Sequence, residues 1–504
     1  MLVLVKSEIY LLFACGLGYL VFISCVRKSL IRPLYFRLPI LLVYCISIAF
    51  LSPSVLVYDI AALLIVPLFA QRREQISPIY LFALLTLPNV STRLGIGSLS
   101  LITVNATICL TVGAAFATAL RSGNYKRDWS HFSTVVLVIL VVTMIPSARA
   151  AGFTNILRAA LEGGLVVLLP YYIISRSTRS ADDVKRALVA LVAVGSTLAA
   201  FAIFETRTAW PVYRVIFDHF GVVVSADANV KMRGGFLRSS GPFPEPLSFA
   251  YWLALLTMCA VACAWMFKSR AHQALIVLIL LIGLFAAQSR GAFLGLACGV
   301  IVLFSISGRI AAVAKSLAVV SIAGMVVYAA ALSSPTVGSI IGIRTDGTRV
   351  KDYRETLLER GLEEARKNPL LGVDLETITR NMSDLRQGEG IIDFVNSYLY
   401  IILVSGVIGL VAFITAMLWP VFEIWKARRQ VPKHSLMDNA YLGGAMTAMS
   451  VMLIYNSLGS RSLMGIVICL GLAAALTRLP ANRSVVDQLA QSAKPKQPAG
   501  AYST

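Results

Sequence analysis

The sequence predicts an all-α, polytopic helical membrane protein of about 13–15 transmembrane helices with two larger loops on one side. Of 504 residues, 58% are hydrophobic and only 14% are charged, which places the chain outside the soluble globular range. The apolar residues gather into runs approaching the length of a helical span, about 20 residues. Apolar and polar positions do not alternate within the runs, so the short amphipathic strands of a membrane barrel are excluded.

Taken in order, the runs centre on 11–25, 38–50, 55–70, 79–87, 99–120, 134–145, 160–174, 188–204, 247–267, 274–287, 292–306, 313–332, 394–421, 440–455 and 464–476. The run at 79–87 is too short for a full span. Residues 1–5 carry no basic n-region and no small-residue cleavage site follows, so the first helix is expected to be retained. The runs divide the chain into an N-terminal transmembrane bundle (1–204), a first large periplasmic loop (205–246), and transmembrane helices with a Ser-Arg-Gly hairpin (247–332). A second large periplasmic loop (333–393), C-terminal transmembrane helices (394–480) and a disordered cytoplasmic tail (481–504) follow. All eight cysteines (Cys15, Cys25, Cys45, Cys109, Cys259, Cys263, Cys298 and Cys469) lie in or beside apolar runs, so no disulfide framework is expected.

The net charge of +20 has an uneven distribution. Lys and Arg cluster at 72–73, 126–127, 176–186, 268–270, 309, 426–433 and from 478 onward. Strict alternation of spans puts these clusters on one side, the cytoplasmic one. Both long loops then face the opposite side, the periplasm of a bacterial inner membrane. The N-terminus falls outside with Arg27 to Arg37 inside, which sits poorly with Lys6. Membrane lipids, rather than nucleic acid, account for the basic charge. No Walker or Rossmann glycine loop supports ATP-driven transport.

The polar residues of interest lie in loops. Arg233-Gly-Gly-Phe-Leu-Arg238 and Ser-Ser-Gly-Pro-Phe-Pro-Glu245 run into a helix beginning near Leu247. Two arginines and a carboxylate there suit an anionic headgroup, and equally a lipid-facing anchor with Glu245 at the helix N-terminus. Gln288-Ser289-Arg290-Gly291-Ala292 forms a hairpin, placing Arg290 beside the first N–H groups of a helix. That is a phosphate site in principle, with interfacial snorkelling as the alternative. Gly291, Gly295 and Gly299 form a small-residue ladder suited to close helix packing. In the second loop, Leu357, Leu358, Leu362 and Ala365 read as one helical stripe, shared by Arg354 and ended by Asn368-Pro369. Asp393-Phe-Val-Asn396-Ser-Tyr398 then opens a span, where Asn396 serves either a helix cap or chemistry.

Ser289–Ala292, the Arg354 helix ending in Asn368-Pro-Leu-Leu-Gly372, and Asn396-Ser-Tyr-Leu followed by Gly406-Val-Ile-Gly409 together carry a resemblance. Over residues 230–415 the chain resembles the O-antigen ligase and polysaccharide polymerase superfamily. The resemblance implies a GT-C-like bundle that transfers glycan from an undecaprenyl-diphosphate-linked donor. It makes Arg290 and Arg354 the catalytic cations that meet the charge growing on the diphosphate, with Arg238 and Arg233 binding substrate. Ser289, Asn396 and Tyr398 join the substrate site, and Glu245 or Asp393 is the candidate base. No metal-ligand spacing occurs, and neither a metal nor another cofactor is expected. A flippase and a chain-length regulator of the same pathway are the implied partners. In the ligases a histidine precedes the motif asparagine, whereas here that position is Val395, and His219 is the one histidine on the periplasmic side. A polymerase is therefore the preferred expectation, with an O-antigen ligase acting on lipid A-core as the alternative. A carrier or flippase would show charged or broken helices at mid-membrane, and ionisable residues within runs are few, Asp59 and Glu162 among them.

Overall fold

The computed structural model describes residues 2–31, 37–96, 99–123, 130–149, 153–222, 231–334, 338, 348–386, 392–431 and 435–477. Within lipid every backbone polar group must be bonded inside its own segment, so apolar runs become helices. The chain is accordingly an all-α polytopic membrane protein. Among the described residues, six helices are long and apolar enough to cross a membrane: Leu2–Cys25, His131–Arg149, Thr154–Ser177, Ala181–Thr208, Ile310–Ser333 and Ser397–Ala427. Shorter apolar helices accompany them, from Arg37–Leu51 to Ser460–Leu476. The tail 481–504 lies outside the described residues.

Ala181–Thr208 is the central helix, packed by Leu2–Cys25, Arg73–Thr86, Pro246–Ala262 and Arg270–Ala286. The run at 79–87 belongs to Arg73–Thr86, which is buried from Gln75 to Thr86. That helix is short because protein, rather than lipid, surrounds it. At the other extreme, Ile310–Ser333 exposes Val319, Ile322, Met325 and Val326. The run at 99–120 is not a single helix. Residues Leu99–Asn105 pair antiparallel with Ser91–Ile96, and the Asn105 side chain accepts from Ile108 N at 2.9 Å to start Ala106–Arg121.

The glycine ladder closes one helix onto another. A Cβ at Gly291 would sit 2.7 Å from Tyr455 Cβ, and one at Gly299 would sit 2.8 Å from the Gly444 carbonyl. Only glycine lets Arg290–Ile306 approach the 436–455 segment so closely.

Ser397–Ala427 is broken at Gly406, where φ is 65°. A break inside a bundle leaves backbone groups that need partners, and all four neighbours of this one find them. Leu403 O accepts from Val373 N at 2.9 Å, and Val404 O accepts from the Arg149 guanidinium at 3.0 Å. Val407 N donates to Pro369 O at 2.8 Å and Ile408 N to Leu370 O at 3.4 Å. The 368–372 segment is thus wedged into the break. Gly372, with φ 66°, lies against it so closely that a Cβ there would be 2.8 Å from Gly406 N.

Charged residues collect at one end of the bundle. There Arg73 and Arg186 hold Asp183 at 3.1 and 3.0 Å, and Trp265 donates to Asp438 at 2.9 Å. The opposite end carries the 205–246 and 348–393 regions. Lys6 lies at that end too, 5.8 Å over the Trp210 ring, so its position beside the N-terminus is accommodated by aromatic contact. The 348–393 region has a small core of its own, built from Leu357, Ala365, Ile378, Met382, Leu385 and Ile392 against Leu399 and Leu403.

Candidate functional site

The first loop is folded onto the turn between two helices. Met232–Arg233 and Phe236–Leu237 pair as a minimal hairpin around Gly234 and Gly235, both at positive φ. Beyond it, Ser239 N donates to Ala286 O at 3.1 Å, Arg238 Nε to Ala287 O at 3.4 Å, and Arg233 Nη1 to Gln288 O at 3.1 Å. These carbonyls lie at the C-terminal end of Arg270–Ala286, where unsatisfied acceptors attract cations. Gln288 occupies the left-handed region, φ 51°, a strained turn for a residue with a side chain. The turn delivers Arg290 as the first residue of the next helix.

Four arginines converge at this turn. Burial holds Arg233 below the ordinary arginine range, with the charges of Arg290 and Arg354 adding to the effect. Arg238 is pushed down to about 10, first by burial and then by Arg233, Arg354 and Arg290, while Glu245 opposes the shift. Among the described residues, none of the four makes a salt bridge. Arg238 Nη2 is buried without a hydrogen-bond partner among them. Glu245 is the N-cap of Pro246–Ala262 and makes no side-chain capping bond there.

Arg354 comes from the Thr348–Lys367 helix, whose buried face differs from the expected stripe. Leu357 and Ala365 are buried, whereas Leu358 and Leu362 are 44% and 41% exposed. The face is set by its partner: a Cβ at Gly361 would touch Leu399 of the broken helix, which selects 357, 361 and 365 as the contact row. Arg354 is exposed beside that row, at its end toward the other arginines, rather than buried within it.

The remaining candidates do different work. The hydroxyl of Tyr353, beside Arg354, donates to Asp393 O at 3.3 Å, and Asp393 Oδ1 accepts from Ser457 at 3.3 Å. Asn396 caps the broken helix, its Oδ1 accepting from Tyr398 N at 3.0 Å and Leu399 N at 3.2 Å. Tyr398 donates to Ser450 O at 2.9 Å, tying two helices together. Ser289 is buried in a small cleft with Tyr251, Gly291, Tyr455 and Asn456. Val395 packs on the apolar core of the second loop. His219 Nε2 lies 2.9 Å from Ser52 O. The structure therefore brings Arg233, Arg238, Arg290, Arg354 and Glu245 together, and ties the backbone carbonyl of Asp393 to Tyr353, the neighbour of Arg354 in the chain.

Two buried charges were not anticipated. Glu205 accepts from Ser239 Oγ at 2.5 Å, Ser240 N at 3.2 Å and Gly241 N at 3.1 Å, fastening the loop that bears Arg238. Arg461 donates to Leu87 O at 2.6 Å and lies 4.5 Å over the Phe243 ring. One signal was available in the sequence: Arg461 is a lone arginine in a short turn far from the basic end.

Residues 274–414 match the model of the O-antigen ligase family. Over that stretch the chain is similar to O-antigen ligases. No curated protein sequence matches the chain. The matched stretch contains Arg290, Arg354, the Asn368–Gly372 wedge, Asp393, Asn396 and the Gly406 break, and it leaves out Arg233, Arg238 and Glu245.

Proposed function

We propose that the protein is a metal-independent polymerase of bacterial surface polysaccharide or exopolysaccharide. It transfers glycan from an undecaprenyl-diphosphate-linked donor to a sugar hydroxyl at the periplasmic face of the inner membrane. The observation that carries this reading is the set of four arginines whose charges bear on one another and that have no ion-pair partner among the described residues. Like charges so placed repel, and a bound polyanion relieves the repulsion. A diphosphate matches both the charge and the bidentate geometry of guanidinium groups.

In this reaction the acceptor hydroxyl oxygen attacks the anomeric carbon, and the bond from that carbon to the diphosphate breaks with its electron pair on the leaving group. The hydroxyl proton passes to a carboxylate, Glu245 or Asp393. Arg290 and Arg354 meet the charge that grows on the diphosphate, each a donor of the kind whose loss costs roughly 3–4 kcal/mol. Arg233 and Arg238 hold the ground-state anion.

The second reading, an O-antigen ligase using the same donor site, has the description of the matched family in its favour. The apolar surroundings of Val395 favour the polymerase, since no proton carrier occupies the position that precedes Asn396. The broken helix invites a carrier reading, but its free backbone groups are bonded by the 368–373 segment and Arg149, so they are not available to a substrate. The test is polymer formed from purified lipid-diphosphate repeat units by equal amounts of parent, Arg290→Lys and Arg354→Lys. A fall in both variants with normal insertion supports the reading. Near-parental polymer from both overturns it, because an interfacial anchor accepts lysine freely.

A further inference from the structure

Arg461 is 4% exposed, and its Nε and Nη1 have no hydrogen-bond partner among the described residues. It makes no salt bridge among the described residues. A buried cation without a carboxylate is costly, and an apolar side chain of similar length would fill the same space at no such cost. Its contacts show what the guanidinium does there. Nη2 donates to Leu87 O at 2.6 Å, the C-cap of Arg73–Thr86, and reaches Thr107 Oγ1 at 3.4 Å on the next helix. With Nη2 fixed, the face of the guanidinium lies 4.5 Å over the ring of Phe243.

Phe243 stands between Arg238 and Glu245 in a turn closed by its own N–H to Ser240 O at 3.0 Å. Its other side meets Phe249, ring centroids 5.4 Å apart, in the helix that Glu245 caps. The loop is therefore held at two points by ionisable residues that do not pair with each other: Glu205 on the Ser239 hydroxyl and the backbone of 240–241, and Arg461 on Phe243.

We infer that Arg461 is a positioning residue for the donor site, fixing Phe243 and through it the placement of Arg238 and Glu245. The inference rests on the donor reading above, in which Arg238 helps to hold a diphosphate. Arg461 touches no substrate in this scheme and works through cation–π contact with one ring.

The test uses the full chain in detergent and in proteoliposomes, with Arg461→Met, Phe243→Leu and the double variant. Three quantities are read: the unfolding midpoint, hydrogen exchange of peptides covering 239–245, and kcat and KM for the purified lipid-diphosphate donor. Arg461→Met should fold with a midpoint close to the parent, because the cost of burying the charge goes together with the hydrogen bond to Leu87 O. Exchange in 239–245 should quicken, and KM should rise about tenfold while kcat changes by less than about threefold. The double variant should be no worse than either single one, since both remove the same contact. If Arg461→Met does not fold, Phe243→Leu carries the test by the same exchange and KM readings. Parental exchange and parental KM would overturn the inference, as would activity lost only in proportion to folded protein. Faster exchange with an unchanged KM would leave Arg461 as the fastener of the loop and instead remove Arg238 from donor binding.

Discussion

The two loops that build the arginine cluster are fastened by opposite means. The 231–246 loop has almost no core of its own and is held by polar contacts to the bundle, through Glu205, Arg461 and the carbonyls of 286–288. The 348–393 region has an apolar core and joins the bundle backbone to backbone at the Gly406 break. The first arrangement fixes a short segment at many points, so each of its arginines is half or fully buried. The second carries a small core that packs on Leu399 and Leu403 beside the Gly406 joint, and presents Arg354 at its exposed edge. A site assembled from both can hold its anion from a rigid side and an outer side.

Substitutions can break or sharpen this contrast. The largest effect is expected from Arg290→Ala or Arg354→Ala, on the order of a hundredfold loss of polymer in each case with folding intact. Raised donor concentration should not restore Arg354→Ala, since the loss falls on kcat, which the kcat and KM of the purified variant would read. Gly406→Ala comes next. Its Cβ would overlap the Leu370 carbonyl and its backbone would be strained by about 1–3 kcal/mol. Limited proteolysis should then cut the second region faster while the first stays protected, and equal loss of protection in both would erase the distinction drawn here. Glu205→Gln keeps one acceptor oxygen for the three donors but puts a buried amide NH2 in place of the second oxygen, so a rise in donor KM of severalfold is expected, without a change in the proteolysis of 348–386. Val395→Ala should be the mildest, leaving substantial polymer, because the side chain only packs. A thousandfold loss with normal expression would show that this position contributes to catalysis by another route.

What was legible in the sequence follows what lipid enforces. Apolar runs had to become helices, Gly291, Gly295 and Gly299 had to face a helix, and the Gln288–Ala292 turn had to bring Arg290 to a helix start, since each depends on neighbours close in sequence. The Asn396 cap was legible for the same reason. The strand at 99–105 was hidden because Leu99, Leu101, Ile102 and Val104 read on into the apolar helix that follows, and pairing with 91–96 is what distinguishes it. The buried face of the Arg354 helix depended on Leu399, which lies outside that helix, so the apolar residues alone pointed to the wrong row. Glu205 and Arg461 escaped notice because their partners are a loop backbone and a ring far away in the chain, contacts that no periodicity encodes.

The joint at Gly406 has a consequence for how such chains can be recombined. Because it is made by main-chain groups of 369–373 and 403–408, with glycines where side chains would collide, it is indifferent to nearly everything the second loop carries elsewhere. It works as a socket. A chimera that keeps both halves of the socket from one chain and exchanges 374–392 between relatives should retain the bundle, whereas one that splits the halves between two parents should not. Asn368-Pro-Leu-Leu-Gly372 and Gly406-Val-Ile-Gly409 are the two halves of that coupling.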